Sequence, residues 1–220
     1  MSSPSVQSTS TYNNGDTDTG IATFPENNTA GNTLVVTVLA LSEAILSVSD
    51  TANGSYGPAN VNHTASYTGY REAIFTLFNC KAGANTVTAT CAVTDNIIIS
   101  IIEYPASYAG SVRDTGASDW TTGITNPSVL VTSTSAGDLV VGMTSNSTDT
   151  VQAAGNVGTN PANIVQAYGP ALPTEDGLSS GGAINLTSLG ATYGWSAIAI
   201  AYAPPASAAT LDTIGFGAEV

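Results

Sequence analysis

Few residues in this chain could do chemistry, and most stand outside the patterns that chemistry needs. The segment GLSSG at 177–181 has the G-x-S-x-G spacing that would make Ser179 a nucleophile. That spacing works when the serine sits on a sharp turn between a strand and a helix, followed in the chain by an acid and then a histidine. The flanks, PTEDGLSSGGAINLTSL, carry no helical pattern, and the single histidine, His63, lies far upstream. The segment therefore reads as a Gly-rich β-turn. Glycoside hydrolysis would need two carboxylates projecting from one strand face into a cleft. No E-x-D-x-E run exists, and only Glu72 and Glu103 stand inside strong strand patterns. Glu103 closes IIISIIEY on the face of Ile99 and Ile101 and is expected to pair with Arg71 or a backbone donor at the end of a sheet. Its counterpart in the second half of the chain is Ala201, which favours a structural ion pair over a catalytic acid. No catalytic residue, and hence no enzyme, is expected.

Metal and thiol chemistry fare similarly. NNGDTDTG at 13–20 places Asn14, Asp16 and Asp18 at alternate positions, as a calcium loop does, but the glycine comes one place late and Pro25 stands where the bidentate glutamate belongs. The segment is a weak calcium candidate and reads first as a solvated polar stretch. One histidine and two cysteines cannot close a four-ligand zinc site, and no Walker A or G-x-G-x-x-G loop precedes a helix, so no cofactor is expected. The two cysteines, Cys80 and Cys91, lie in FNCKAGANTVTATC at 78–91, which suggests a hairpin turning on AGAN with Lys81 opposite Thr86. That register sets Cys80 opposite Val87 and Cys91 opposite Thr76, about 13 Å apart at about 3.3 Å per residue. A disulfide needs Cα atoms within about 7 Å, so no disulfide is expected and both thiols should be buried. Trp120, with Tyr12, Tyr56, Tyr67 and Tyr70 in polar surroundings, could form stacking platforms for sugars. Such rings also plug cores or pack against another subunit.

The elements that must position these residues are strands. Period-two or fully apolar runs bounded by Gly, Asn, Asp and Pro recur near 33–41, 45–49, 65–70, 73–79, 86–93, 97–104, 128–133, 138–144, 163–168, 181–186 and 194–203. This is an all-β pattern, an antiparallel β-sandwich of jelly-roll type. Residues 1–20 read as a polar N-terminal arm, 21–204 as the sandwich, and 205–220 as a tail ending in a weak apolar patch of Leu211, Ile214 and Phe216. Segments like the two ends cannot bury enough surface to offset their own ordering entropy, so a neighbouring subunit is expected to hold them. Two weakly similar halves, 30–106 and 136–205, are also visible. AGNTLVV answers AGDLVV, YGPA recurs at 56–59 and 168–171, and IIISIIEYPA parallels SAIAIAYAPP. The long connection at 107–127 still contains Tyr108, Trp120 and Ile124, which favours one sandwich over two separate domains.

Sixteen acids against three cationic residues, Arg71, Lys81 and Arg113, give a net charge of −13. Such a surface repels phosphate backbones and anionic headgroups, so neither nucleic acid nor membrane is an expected partner. Charged residues are only 9% of the chain, so Thr, Ser, Asn and Gly must also carry its solubility. Residues 1–20 have neither the cationic nor the apolar region of a Sec signal, and the longest apolar runs are too short to span a bilayer. A soluble protein is expected, extracellular or on a particle surface.

GNTLVVTVLA, SVSDTANGSY, AIFTLFNCKAGANTVTAT, IIEYPA, TSAGDLVVGM and YGWSAIAIAYAP, taken in order over residues 30–204, resemble a poorly characterised group of bacterial and phage surface β-sandwich modules. The resemblance implies no shared enzymatic activity. It implies a structural protein of a particle surface, such as a phage capsid decoration or head-surface protein, associating with copies of itself and with other virion proteins through its arms. The alternative is a carbohydrate-binding adhesin or receptor-binding module using Trp120 and the loop tyrosines.

Overall fold

The computed structural model describes residues 5–15, 17–41, 44–66, 68–120, 128–146, 174–187 and 194–206. Three of its strands explain the architecture. β3 (Thr33–Ala40, TLVVTVLA), β9 (Asn96–Tyr104, NIIISIIEY) and β13 (Trp195–Ala203, WSAIAIAYA) are apolar on both faces and buried along nearly their whole length. A run of this kind must be covered on both sides. The chain meets this demand by stacking sheets in more than two layers.

The central sheet has the order β1-β9-β3-β7-β6, where β1 is Gln7–Asn14, β6 Val61–Thr64 and β7 Arg71–Leu77. One face packs on an outer sheet of order β2-β8-β4-β5, formed by Thr19–Thr23, Thr86–Cys91, Ile45–Asp50 and Gly54–Ser55. The strands of this outer sheet alternate. In β8, Val87, Ala89 and Cys91 point inward and Thr86, Thr88 and Thr90 outward, as a sheet with one wet face requires. The core between these two sheets includes Leu34, Val36, Phe75, Val87 and Ile99.

On its other face the central sheet meets a third sheet, β10-β13-β11-β12, in which β10 is Ser111–Trp120, β11 Ser128–Asn146 and β12 Thr174–Thr187. Val35, Ile98, Ile102 and Tyr104 pack there against Val141, Ile200 and Tyr202. The strands β11 and β12 are long enough to serve two layers. Their inner parts join β13, while their outer parts, paired Val129 to Leu186 and Val131 to Ile184, form a ribbon over the far face of the third sheet. Bulges near Val131 and Ala136, with Gly137, Gly181 and Gly182 at positive φ, mark the fold between the two parts. Beneath the ribbon, Val129, Val131 and Ile184 cover Val140, Ala197 and Ala199.

All pairings are antiparallel, in keeping with the expected all-β class. The order β10-β13-β11-β12 also repeats β1-β9-β3-β7, each set beginning on its first strand and placing its last strand beside it. Thr33 pairs with Tyr104 and Leu34 with Glu103, as Leu139 pairs with Tyr202 and Val140 with Ala201. This register is one residue off the AGNTLVV to AGDLVV match. The strands align from the glycine, not from the leucine. Between the two sets the body has an outer core on each side and a shared core at the joint, where the sequence favoured a single sandwich. The second YGPA and the 163–168 run lie outside the described residues.

Two local expectations change. Residues 7–14, taken as part of a solvated arm, are an edge strand paired with β9 from Gln7–Glu103 to Asn14–Asn96. An edge strand is held by backbone hydrogen bonds and tolerates polar side chains, so QSTSTYNN shows no apolar alternation. FNCKAGANTVTATC is not a hairpin either. β7 pairs with β3 and β6, β8 pairs with β2 and β4, and the chain between them crosses from the central to the outer sheet. Cys80 N–H donates to Asn32 O, and Asn28 bridges Gly83, which pins this crossing.

Candidate functional site at the joint between the two cores

The carboxylates named by the sequence both prove to be fully buried, in different settings. Glu103 ends β9 at a corner of the central sheet, where Asn28, Thr29 and Asn32 come round from the turn before β3. Its Oε1 accepts from Thr29 N–H at 2.8 Å and Asn32 Nδ2 at 2.7 Å. Its Oε2 accepts from Asn28 Nδ2 at 2.8 Å and from the Gln7 amide of β1 at 2.5 Å. Burial pushes this carboxyl up, but the Thr29 N–H and the three amides outweigh it and hold the group below its ordinary value. A backbone donor is present, as expected. Arg71 is not a partner here, since its guanidinium reaches Thr64 Oγ1 beside it.

Glu72 is the contrasting case. It is the second residue of β7, opposite Leu39 on one side and His63 on the other, and faces the third sheet. Oε1 accepts from Ser145 Oγ of β11 at 2.6 Å, and Ser145 Oγ lies 3.0 Å from Ser196 Oγ of β13. Among the described residues neither Glu72 Oε2 nor His63 Nε2 has a hydrogen-bond partner. The nearest charge is Asp119 of β10, whose Oδ2 lies 3.8 Å from His63 Nε2 and accepts Ser66 N–H at 2.8 Å. Burial pushes the Glu72 carboxyl up to about 7, against the two serine hydroxyls, and the Asp119 charge adds to the rise. Asp119 is held below its ordinary value, first by Ser66 and last by His63, against some burial.

Deeper in the joint two tyrosines reach across in opposite directions. Tyr104 Oη of β9 donates to Asp176 Oδ2 of β12 at 2.7 Å, and Tyr202 Oη of β13 lies 2.7 Å from Thr76 Oγ1 of β7. Burial, and for Tyr104 the Asp176 charge, push both phenols well up, so both stay neutral. Phe78 meets the Tyr202 ring edge-on at 6.1 Å. The joint is thus apolar at its centre and titratable at one end. As chemistry it offers a carboxylic acid near neutrality beside an imidazole, but Glu72 has no exposed surface, and a substrate would have to part the sheets to reach it.

The other candidates are dispersed. Ser179 lies inside β12, 5% exposed, with its Oγ 2.6 Å from Thr134 Oγ1 and accepting Gly181 N–H at 2.8 Å. It occupies a strand, with no nucleophile elbow. Asn14 ends β1 and Asp18 is an exposed residue before β2, while Asp16 lies outside the described residues. Among the described residues no group of three His, Cys, Asp or Glu could hold a metal ion. Cys80 and Cys91 form no disulfide and are each 2% exposed, and burial foremost, with the charges of Glu103 and Asp50, pushes the Cys80 thiol up to about 11.

Of the aromatic candidates, Tyr56 is buried with its hydroxyl on Asp50 Oδ2 at 2.7 Å, and Asp50 also ties down the turn through Asn53, Ala52 and Asn85. Tyr12 and Tyr70 are half-buried against the joint, with the Tyr12 hydroxyl donating to Asn96 Oδ1 at 3.0 Å. Trp120 ends β10 opposite Trp195, and only this strand position is described. Tyr67, Leu211, Ile214 and Phe216 lie outside the described residues. Asp138, a buried acid paired with the Arg113 guanidinium, and buried Asp176 are not among the residues the sequence singles out: Asp138 only opens the 138–144 run, and Asp176 stands just before a Gly-rich turn. Among the described residues no helix is long and apolar enough to cross a membrane. No protein-family model, curated protein or solved structure matches the chain.

Proposed function

We propose that the protein is a non-enzymatic structural component of a particle surface, a phage virion protein that decorates a capsid or head and associates with copies of itself and its neighbours. The observation that best supports this reading is where the acids go. Glu103, Asp50, Asp138 and Asp176 each engage donors of the fold itself, and their carboxylates do not converge on an open cleft. The body they tie together is thick and covered on both sides, with strongly negative overall charge, as suits a shell component that must not aggregate. Because β1 belongs to the central sheet, assembly contacts fall to the C-terminal tail and its Leu211, Ile214 and Phe216. Ending the chain after Ala206 should leave its melting temperature unchanged and abolish its copy number in purified particles. Full incorporation of the shortened chain would overturn the role of the tail. Glycan-array retention that disappears in Trp120→Ala would put an adhesin in place of the shell component.

A further inference from the structure

We propose that the joint between the two halves is a proton-operated latch, in which Glu72 of the first half meets Ser145 and Ser196 of the second and holds the sheets together when protonated. The geometry carries it. One hydrogen bond, Ser145 Oγ to Glu72 Oε1, links β7 to β11 across the joint, and it leaves Glu72 Oε2 buried with no hydrogen-bond partner among the described residues. Buried polar groups are nearly always satisfied, so an unsatisfied carboxylate oxygen at a sheet-to-sheet contact marks a place held together at some cost.

The groups facing Glu72 make the cost depend on protons. β11 and β13 offer only hydroxyls, β3 offers Leu39, β6 offers His63 and β10 offers Asp119, while Arg71 on its own strand is turned to Thr64. Among the described residues no lysine or arginine faces the carboxylate. In the acid state a neutral Glu72 meets the serines. In the alkaline state an ionised Glu72 is buried with the Asp119 charge nearby, so its titration favours the closed joint at low pH and weakens it as pH rises.

A carboxyl raised from 4.5 to about 7 on closing gives an opening equilibrium that grows on the order of fifty- to a hundredfold between pH 5 and pH 8. Amide hydrogen exchange of the whole protein across that range reads this directly. Exchange at Glu72, Ser145 and Ser196 should speed up by that factor beyond the intrinsic pH dependence, while Val87 and Ala89 in the outer core stay constant. Glu72→Gln keeps the shape without the charge and should abolish the extra pH dependence. Asp119→Asn removes the like charge and should reduce it. Joint amides that track the outer-core amides at every pH, or a Glu72→Gln protein with the wild-type pH dependence, would overturn the latch.

Discussion

Replacing Glu103 by glutamine tests whether a carboxylate, and not merely a side chain of that shape, closes the corner of the central sheet. In the native corner four donors converge on two oxygens, Thr29 N–H and Asn32 Nδ2 on one, Asn28 Nδ2 and the Gln7 amide on the other. A glutamine offers one oxygen and one NH2, so whichever way the amide turns, two donors face a third. Gln7 is half-buried and can turn to water, but Asn28 and Asn32 are 3% and 8% exposed and cannot. Each orphaned buried donor costs about 1–3 kcal/mol, and the charge assistance is lost as well, so the substitution should destabilise the protein by about 2–4 kcal/mol. In a chain of this size that lowers the melting temperature by about 10 °C.

The pH dependence supplies a second reading of the same corner. Glu103 is held below its ordinary value in the folded state, so its contribution is present above the unfolded carboxylate value and is lost as pH falls through the folded one. The gap between wild type and Glu103→Gln should be widest at pH 6–7 and close below about pH 4. Glu26→Gln, at an exposed position, serves as the control and should stay within about 0.5 kcal/mol. A Glu103→Gln protein that melts with the control, and shows the same acid profile as wild type, would refute the role assigned to the four donors.

Gly116 of β10 passes under the ribbon, where an added Cβ would stand 2.3 Å from Leu130 O and 3.0 Å from Val129 Cγ2. Gly116→Ala should therefore cost about 1–3 kcal/mol or more in denaturant titration, and a neutral result would mean that the ribbon does not lie over β10. Thiol titration should find neither Cys80 nor Cys91 reactive in the native protein and both on unfolding, because each is 2% exposed and outside any disulfide. A mass change on reduction would contradict this.

The strands legible in the sequence are those whose side chains are under pressure to be apolar. TLVVTVLA, NIIISIIEY and WSAIAIAYA must be covered on both faces, and TVTATC on one, so their patterns survive translation into sequence. β1, β2, β6 and β10 escaped notice because edge or short strands are held by backbone bonds, which leave no mark on residue type. The crossing after β7 reads as a hairpin in the sequence because a small-residue turn between two strands looks the same whether the second strand returns beside the first or passes to another sheet. What separates them is long-range, the Cys80 to Asn32 and Asn28 to Gly83 bonds, and no local window contains it. Glu103 was legible as an acid with a backbone donor at the end of a sheet, while the amides of Gln7, Asn28 and Asn32 that join Thr29 N–H there were not. Glu72 was visible only as an acid in a strand, since its setting depends on Ser145 and Ser196, which enter from the other half of the chain.

The repeated strand order sharpens why Glu103 is structural. The register that sets Leu34 on Val140 and Glu103 on Ala201 also sets Asn32 on Asp138. In the first half the acid stands on the last strand, and the edge strand and the turn supply amides, Gln7 and Asn32. In the second half the acid stands at the bulge of β11 as Asp138, the edge strand supplies Arg113, and the last strand carries Ala201 inside the core under the ribbon. Ser135 N–H donates to the same Asp138 carboxylate at 2.7 Å, as Thr29 N–H does to Glu103. The acid has changed strands, while a buried anion tying the edge strand to one corner is present in both halves. A corner needs only that opposite partners meet, and either strand can provide the charge.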